Sequence, residues 1–138
     1  MPTRDVVLIV DDEVEVGETI RRRLRVEGIE AQACQDPIEA LEWMRQRLYP
    51  VAVCDIKMPG MDGIELLRRL KQLNPLCNVI MVTGYSSMAH VVDCLGNGAV
   101  DYFVKPFQDI GLVVEAVNQA LVRIARWRHA MPLSGREG

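Results

Sequence analysis

The amino-acid sequence predicts one α/β domain in which a doubly wound parallel sheet of five strands is covered by five helices. Five short runs rich in apolar and β-branched residues alternate with five segments of helical periodicity. Polar residues follow directly after four of these runs, as Asp11-Asp12, Asp55, Thr83-Gly84 and Lys105-Pro106. Open parallel sheets place their chemistry at the carboxyl ends of the strands. The chain length of 138 residues is enough for one domain with a full core.

The strand predictions rest on short apolar runs that end at charged, turn-forming or helix-starting residues. They cover residues 6–10, 29–34, 51–54, 78–82 and 101–104. Because helical segments separate all five runs, the strands are expected to be parallel, with helices on both faces of the sheet. Right-handed crossovers then leave few possible topologies.

The first three helices are predicted from an apolar stripe combined with a signal at one end. The first covers about 14–27 and stops at Gly28, which suits the position just after a helix. The second starts at Pro37, a favourable first helical residue, after the capping residue Asp36. The third covers about 63–74 and ends before a proline.

The last two helices differ in the strength of their patterns. Residues 87–95 form a weak helical pattern, with paired valines, a central histidine and Gly-Asn-Gly at the end. The fifth helix is predicted over 109–128, with an apolar stripe that ends in Ile124 and Trp127. We expect these two side chains to extend past the sheet. Two interpretations stay open: they face a partner, or they fold back on the first helix.

Composition narrows the function classes. The apolar fraction of 49%, the charged fraction of 25% and the net charge of −3 indicate a soluble globular protein without general attraction to nucleic acid or acidic membranes. The apolar run at 6–10 is too short for a signal-peptide core or a membrane span, so a cytoplasmic location is expected. Four widely spaced cysteines without a C-x-x-C motif predict buried, reduced thiols.

Residues 1–125 are predicted to form the domain, and residues 126–138 a helix end and a linker or tail.

The carboxylates of Asp11, Asp12 and Asp55 carry the strongest chemical signal. If they converge at the ends of two strands they repel one another, and a hard divalent cation such as Mg²⁺ relieves that repulsion. Taken singly, the motifs have simpler interpretations. An isolated Asp-Asp suggests the N-cap of the first helix, Lys105 alone suggests a solvated lysine, and Asp62-Gly63 is interpreted as a turn.

Together, these motifs resemble the receiver domain of bacterial two-component response regulators, the family that includes the single-domain chemotaxis regulator. The resemblance covers about residues 6–124. It includes the segment Asp-Ile-Lys-Met-Pro-Gly-Met-Asp-Gly around Asp55, Gly98-Ala99, and residues 101–107. It implies a flavodoxin-like fold with strand order 2-1-3-4-5 and a cis peptide bond before Pro106.

The resemblance also implies how phosphoryl transfer would occur. Asp55 would accept a phosphoryl group from a phosphohistidine of a sensor histidine kinase or phosphotransfer protein, giving an aspartyl phosphate. Mg²⁺ would be bound by Asp12, Asp55 and the backbone carbonyl of Lys57, with Asp11 assisting through water. Such a protein is a phosphoryl acceptor and not a turnover enzyme in its own right.

The remaining family positions would bind the phosphoryl group and transmit its presence. Lys105, the Thr83 hydroxyl and the Gly84 N–H would contact phosphoryl oxygens, with Lys57 as a further phosphoryl-binding residue. Thr83 and Tyr102 would form a switch. The face made by the fourth helix, fifth strand and fifth helix would then regulate an output domain or partner protein, or form a homodimer. No direct contact with nucleic acid or membrane is expected.

Three rival functions use related chemistry. A haloacid-dehalogenase-type phosphatase has its nucleophile after the first strand, in an Asp-x-Asp pattern, whereas here that strand is followed by Asp-Asp-Glu. A flavodoxin-like cofactor binder needs a loop rich in Ser, Thr or Gly at this position, where the chain has acids. A receiver-like module that binds partners without phosphorylation would not need Asp55, Thr83 and Lys105 together.

Overall fold

The computed structural model of the chain describes residues 5–84 and 87–130. Within these ranges five parallel strands form one sheet, in the order β2-β1-β3-β4-β5. The strands are β1 (Val6–Val10), β2 (Glu30–Cys34), β3 (Val51–Cys54), β4 (Asn78–Thr83) and β5 (Ala99–Val104). The helices are α1 (Val14–Val26), α2 (Pro37–Gln46), α3 (Gly63–Leu73), α4 (Met88–Gly96) and α5 (Ile110–Ala130). The predicted alternation and the implied strand order are confirmed, with element boundaries within two residues of those predicted.

The sheet has a hydrophobic core on each face because successive side chains of a strand point to opposite sides. On β1, Leu8 and Val10 contribute to the core beneath α2 and α3, whereas Val7 and Ile9 contribute to the core beneath α1 and α5. Every residue of β1, β3 and β4 is buried. The three central strands therefore provide a rigid support for the loops at their carboxyl ends.

Two helices begin at aspartate caps. Asp36 accepts a hydrogen bond from the Ile38 N–H at 3.0 Å, which confirms the predicted start of α2. Asp62 accepts from the N–H groups of Ile64, at 2.9 Å, and Glu65, at 3.0 Å. The interpretation of Asp62-Gly63 as only a turn was therefore wrong. Its carboxylate satisfies N–H groups of the first turn of α3, which have no partner within the helix.

Gly63 is required by a close backbone contact. A Cβ atom at this position would lie 2.4 Å from both the Asp55 carbonyl oxygen and the Ile56 Cα. The Gly63 N–H also donates to the Ile56 carbonyl at 2.7 Å. The first turn of α3 thus packs directly against the backbone that follows β3, and this contact helps to position Asp55.

The end of α5 differs from the sequence prediction. Ile124 is buried, at 3% exposure, and Trp127 is partly buried, which contradicts the expectation that these side chains extend past the sheet and favours the fold-back interpretation. The last turns of α5 lie beside the amino ends of the strands. Arg123 donates to Asn78 at the start of β4 at 2.6 Å, and Arg128 donates to the carboxylate of Asp5 at 3.0 Å. The helix therefore folds back on the domain, and residues 131–138 of the predicted tail lie outside the described residues.

All four cysteines are buried free thiols, as predicted. Burial raises the pKa of the Cys34 thiol to about 11 and that of Cys77 to about 12, so both stay protonated and poorly nucleophilic near neutral pH. None of the described helices combines the length and the apolar character that crossing a bilayer requires.

Candidate functional site

The carboxyl ends of four strands meet in one cleft of about 670 Å³. The predicted site residues that line it are Asp12, Asp55, Lys57, Gly84 and Lys105, joined by Glu13, Glu15, Val16, Thr19, Pro106 and Phe107. The lining therefore combines acidic and apolar side chains. The cleft lies where ligands bind in open parallel sheets.

Three carboxylates converge at the carboxyl ends of β1 and β3, where the cleft lies. Asp11, Asp12 and Asp55 each offer an oxygen atom within 4.8 Å of the others. Asp11 and Asp55 are buried, whereas Asp12 is exposed to the cleft. Burial raises the pKa of Asp11, and hydrogen bonds with the Glu13 N–H and Lys105 offset only part of this effect. The cluster therefore favours additional positive charge.

Backbone contacts hold the cluster in place. The Asp11 N–H donates to the Cys34 carbonyl at 3.0 Å, and the Asp55 N–H donates to the Val10 carbonyl at 2.9 Å. The Asp11 Oδ1 accepts from the Glu13 N–H at 2.9 Å. Glu13 is the N-cap residue of α1, so neither aspartate occupies the capping position that an isolated Asp-Asp pair suggested. Asp12 instead lines the cleft, and the Asp11 carboxylate is held beside it by the Glu13 N–H and Lys105.

Lys105 lies at the centre of the acidic groups. Its Nζ is 3.0 Å from Asp11 Oδ2, 3.1 Å from Asp55 Oδ2 and 2.8 Å from Glu13 Oε1. Burial alone lowers the pKa of this ammonium, but hydrogen bonds to Glu13, Asp11 and Asp55 outweigh burial and hold it above its ordinary value. Lys105 is therefore not the solvated lysine that the residue taken singly suggested. The peptide bond that follows it, before Pro106, is cis.

Thr83 is the last residue of β4, and Gly84 follows it at the cleft. Thr83 is fully buried, and its carbonyl accepts from the Lys105 N–H at 2.8 Å. Gly84 is exposed to the cleft, and a Cβ atom there would meet no protein atom within 4 Å. Packing therefore does not require a glycine at this position. A side chain would instead extend into open space next to Asp55 and Lys105.

Tyr102 lies on β5, beside β4. Thr83 pairs with Val104 in the sheet register and Met81 pairs with Tyr102, so Thr83 and Tyr102 are diagonal neighbours on the same face. The Tyr102 ring is partly buried and packs against the core that contains Cys94 of α4. A change at Thr83 therefore has a short physical route to α4 through this ring.

Glu13 is a site residue that the sequence reasoning missed. Its carboxylate makes the shortest of the three contacts with Lys105, although 92 positions separate the two residues in sequence. The only local signal was a third acid directly after Asp11-Asp12. Sequence spacing did not reveal which of the neighbouring acids would reach Lys105.

A row of exposed apolar side chains lies outside the cleft on α4. It consists of Met88, Val92 and Leu95, with exposures of 75%, 60% and 48%, and we call it the α4 stripe. Cys94 is the buried residue of this helix. On the neighbouring strand, Val100 and Val104 are also exposed. Helix α4 thus presents most of its apolar area to the surface.

Comparison with known proteins gives consistent results. The family model for the response regulator receiver domain matches residues 7–118. The transcriptional regulatory protein ZraR of Klebsiella oxytoca is 37% identical over 100 residues, which are 72% of this chain and 23% of the relative. The DNA-binding transcriptional regulator NtrC of Escherichia coli strain K12 is 36% identical over 118 residues, or 86% of this chain and 25% of the relative. The chain spans about a quarter of the length of these curated relatives.

Solved structures agree with the sequence comparisons. A CheY-like response regulator receiver domain protein from Methanospirillum hungatei JF-1 superposes with a TM-score of 0.83 at 31% identity, covering 90% of this chain and 98% of that one. The solution structure of a beryllofluoride-activated NtrC4 receiver domain dimer superposes with a TM-score of 0.81 at 28% identity, covering 86% and 98%.

Proposed function

Because this chain belongs to the response regulator receiver domain family, whose members are signalling domains and not turnover enzymes, we propose that it accepts a phosphoryl group on Asp55 in a two-component system. The observation that carries this proposal is the geometry of Asp55. Its buried carboxylate lies within 4.8 Å of oxygens of two other aspartates and 3.1 Å from the Lys105 ammonium, at the edge of an open cleft. The proposed phosphoryl donor is a sensor histidine kinase or a phosphotransfer protein.

The acidic cluster fits Mg²⁺. Three carboxylates with oxygens within 4.8 Å of one another form a hard donor set of the kind that Mg²⁺ prefers. We assign Asp12, Asp55 and the backbone carbonyl of Lys57 as direct ligands, with Asp11 acting through water. When bound, the ion supplies positive charge that lets an anionic phosphodonor approach the carboxylates.

Residues of the chain itself orient the acceptor. The Lys57 N–H donates to Asp55 Oδ1 at 3.2 Å, and Lys105 contacts Oδ2, so the Asp55 carboxylate is held at both oxygens. In the proposed transfer, an Asp55 oxygen attacks phosphorus, the phosphorus–nitrogen bond of the phosphohistidine breaks, and the donor histidine keeps the bonding electron pair. Lys105, Thr83, the Gly84 N–H and Lys57 are proposed to contact the transferred group.

Metal removal tests the proposed function. We expect acetyl phosphate with Mg²⁺ to add one phosphoryl group to the protein, detected by intact-mass spectrometry, and we expect excess chelator to abolish the adduct. Without the cation the carboxylates repel the anionic donor. Restoring Mg²⁺ in excess over the chelator is the control. Labelling that persists without metal would contradict the magnesium role, and no labelling with metal would favour a phosphorylation-independent interaction module.

We further propose that Thr83 and Tyr102 transmit phosphorylation to the surface. Movement of the Thr83 hydroxyl towards a phosphoryl oxygen would vacate space that the diagonal neighbour Tyr102 can occupy. The ring contacts the core next to Cys94, so its movement would alter the packing of α4. Helix α4 spans only nine residues, with Cys94 as its buried residue, and few buried contacts make an element inexpensive to shift.

The face formed by α4, β5 and α5 is proposed to regulate an output domain or partner protein, or to form a homodimer. The α4 stripe supports this assignment, because three large apolar side chains on one helix face are exposed there. The α4 stripe replaces Ile124 as the proposed apolar contact of this face. The sequence suggested Ile124 as a partner contact, but the structure buries that side chain. A receiver related at 28% identity is a dimer in its beryllofluoride-activated form. Direct nucleic-acid contact is not proposed, and the expected cytoplasmic location remains a prediction.

Self-association can be tested on the α4 stripe. We expect beryllofluoride with Mg²⁺ to raise the dimer fraction in sedimentation velocity, and Val92→Glu to reverse this rise because a charge would be desolvated at the interface. Val26→Glu is the matched control, since Val26 is 77% exposed on α1, away from this face. Equal dimer fractions in the Val92 and Val26 variants would contradict an interface at α4. If the protein is monomeric in every condition, the homodimer is rejected. Only the assignment of this face to an output domain or partner protein then remains.

A further inference from the structure

The Lys105 ammonium has no hydrogen-bond donor to spare. A lysine side chain offers three N–H donors, and three different carboxylates lie within hydrogen-bond distance of this one. A phosphoryl oxygen on Asp55 would need one of these donors. Phosphorylation converts the Asp55 carboxylate into an acyl phosphate, so the donor that it holds passes to the phosphoryl group. The added group is dianionic, and it then competes with Asp11 and Glu13 for the other two donors.

The two competing carboxylates differ in how readily they could withdraw. The side chain of Asp11 is 1% exposed, so losing its contact would leave a buried charge unpaired. The Glu13 side chain is 61% exposed, so water can replace Lys105 as its partner at little cost. Glu13 is thus the contact that is easiest to release.

Release of the Glu13 side chain would not disturb the helix that it precedes. Its backbone N–H donates to Asp11 Oδ1, and its carbonyl accepts from the N–H groups of Val16 and Gly17, both at 3.1 Å. The side chain makes no capping hydrogen bond to α1. The backbone is therefore anchored independently of the carboxylate.

From these contacts we propose that Glu13 is an internal competitor that occupies Lys105 until a phosphoryl group displaces it. The carboxylate of Glu13 resembles a phosphoryl group in presenting an anionic oxygen to the ammonium. Its presence raises the phosphodonor concentration needed to load Asp55, and its departure leaves a solvated acid at the rim of the cleft. This inference rests on the proposed function, because it assumes that Asp55 is the acceptor.

Glu13 has a second effect that a test must separate from the first. Its negative charge also attracts Mg²⁺, so removing the charge weakens metal binding while freeing Lys105. Glu15 provides the comparison, because it lines the same cleft with the same charge and has no hydrogen bond to Lys105. Saturating Mg²⁺ removes the metal contribution from the measurement.

The experiment is a beryllofluoride titration at saturating Mg²⁺, followed by amide NMR, for wild type, Glu13→Gln and Glu15→Gln. We expect Glu13→Gln to bind beryllofluoride about two- to fivefold more tightly than wild type, the range expected from an exposed ion pair. Glu15→Gln should change the affinity less. A titration with Mg²⁺ alone measures the separate loss of metal affinity in each variant.

Each outcome has a distinct meaning. Tighter binding in Glu13→Gln than in Glu15→Gln supports the competitor. Equal affinities in the two variants show that only the general charge matters, and weaker binding in Glu13→Gln would make Glu13 an assisting residue; either result overturns the inference. If wild-type protein binds no beryllofluoride with Mg²⁺, the proposed function fails as well, and this inference falls with it.

Discussion

Replacing Asp55 with asparagine is expected to abolish the phosphoryl adduct completely. The amide has almost the same size and shape as the carboxylate, but it is not nucleophilic and carries no charge for Mg²⁺. Asp55 is buried at the end of β3 beside Asp11, Asp12 and Lys105, a combination of features that makes it the proposed acceptor. Intact-mass spectrometry after incubation with acetyl phosphate and Mg²⁺ measures the adduct.

The control for Asp55→Asn is Asp93→Asn. Asp93 is an exposed residue of α4, so its replacement makes the same chemical change away from the cleft and should leave labelling unchanged. Circular dichroism of both variants checks that the fold is retained. A wild-type level of adduct in Asp55→Asn would show that another residue is the acceptor and would refute the assignment.

Gly63→Ala is expected to lower the free energy of unfolding by about 3 kcal/mol. The added methyl group would lie 2.4 Å from the backbone of Asp55 and of Ile56, and backbone atoms cannot move aside as a flexible side chain can. Either α3 shifts as a whole or the segment after β3 is displaced. Urea denaturation measures the loss through the transition midpoint and its slope.

Gly96→Ala is the matched control for Gly63→Ala. Gly96 is the last residue of α4, and a Cβ atom there meets nothing within 4 Å. Alanine is also the better helix former, so this variant should be neutral or slightly stabilised. If the unfolding free energies of the two variants agree within about 0.5 kcal/mol, the proposed backbone clash at Gly63 is not a real constraint.

The architecture could be predicted because its signals are local in the sequence. The apolar runs of β1, β3 and β4 form strands buried on both faces, and Asp36-Pro37 begins α2. Polar residues at the ends of four strands predicted that the site would lie at one edge of the sheet, which is where the cleft lies. Each of these signals depends on periodicity or on neighbouring residues, so a single sequence is sufficient to read it.

The end of α5 shows where local pattern became insufficient. The apolar stripe correctly predicted a long helix, but the pattern could not say whether Ile124 had a surface to cover. The burial of Ile124 depends on where α5 passes the sheet. The contacts of Arg123 with Asn78 and of Arg128 with Asp5 place the end of α5 beside the amino ends of the strands. A stripe marks which side of a helix is apolar, and only packing determines what lies opposite it.

The sequence by itself therefore determined the elements, their order along the chain and the residue types at the strand ends. Only the tertiary structure decided which of these residues touch. Glu13 reaches Lys105 across 92 positions because β1 and β5 end at the same edge of the sheet. Gly63 lies against the carbonyl of Asp55 because the first turn of α3 packs on the segment that follows β3. Periodicity and capping involve residues that are close together in the sequence. Contacts between separate elements instead depend on how those elements pack, to within about an ångström. The packed sheet sets those distances.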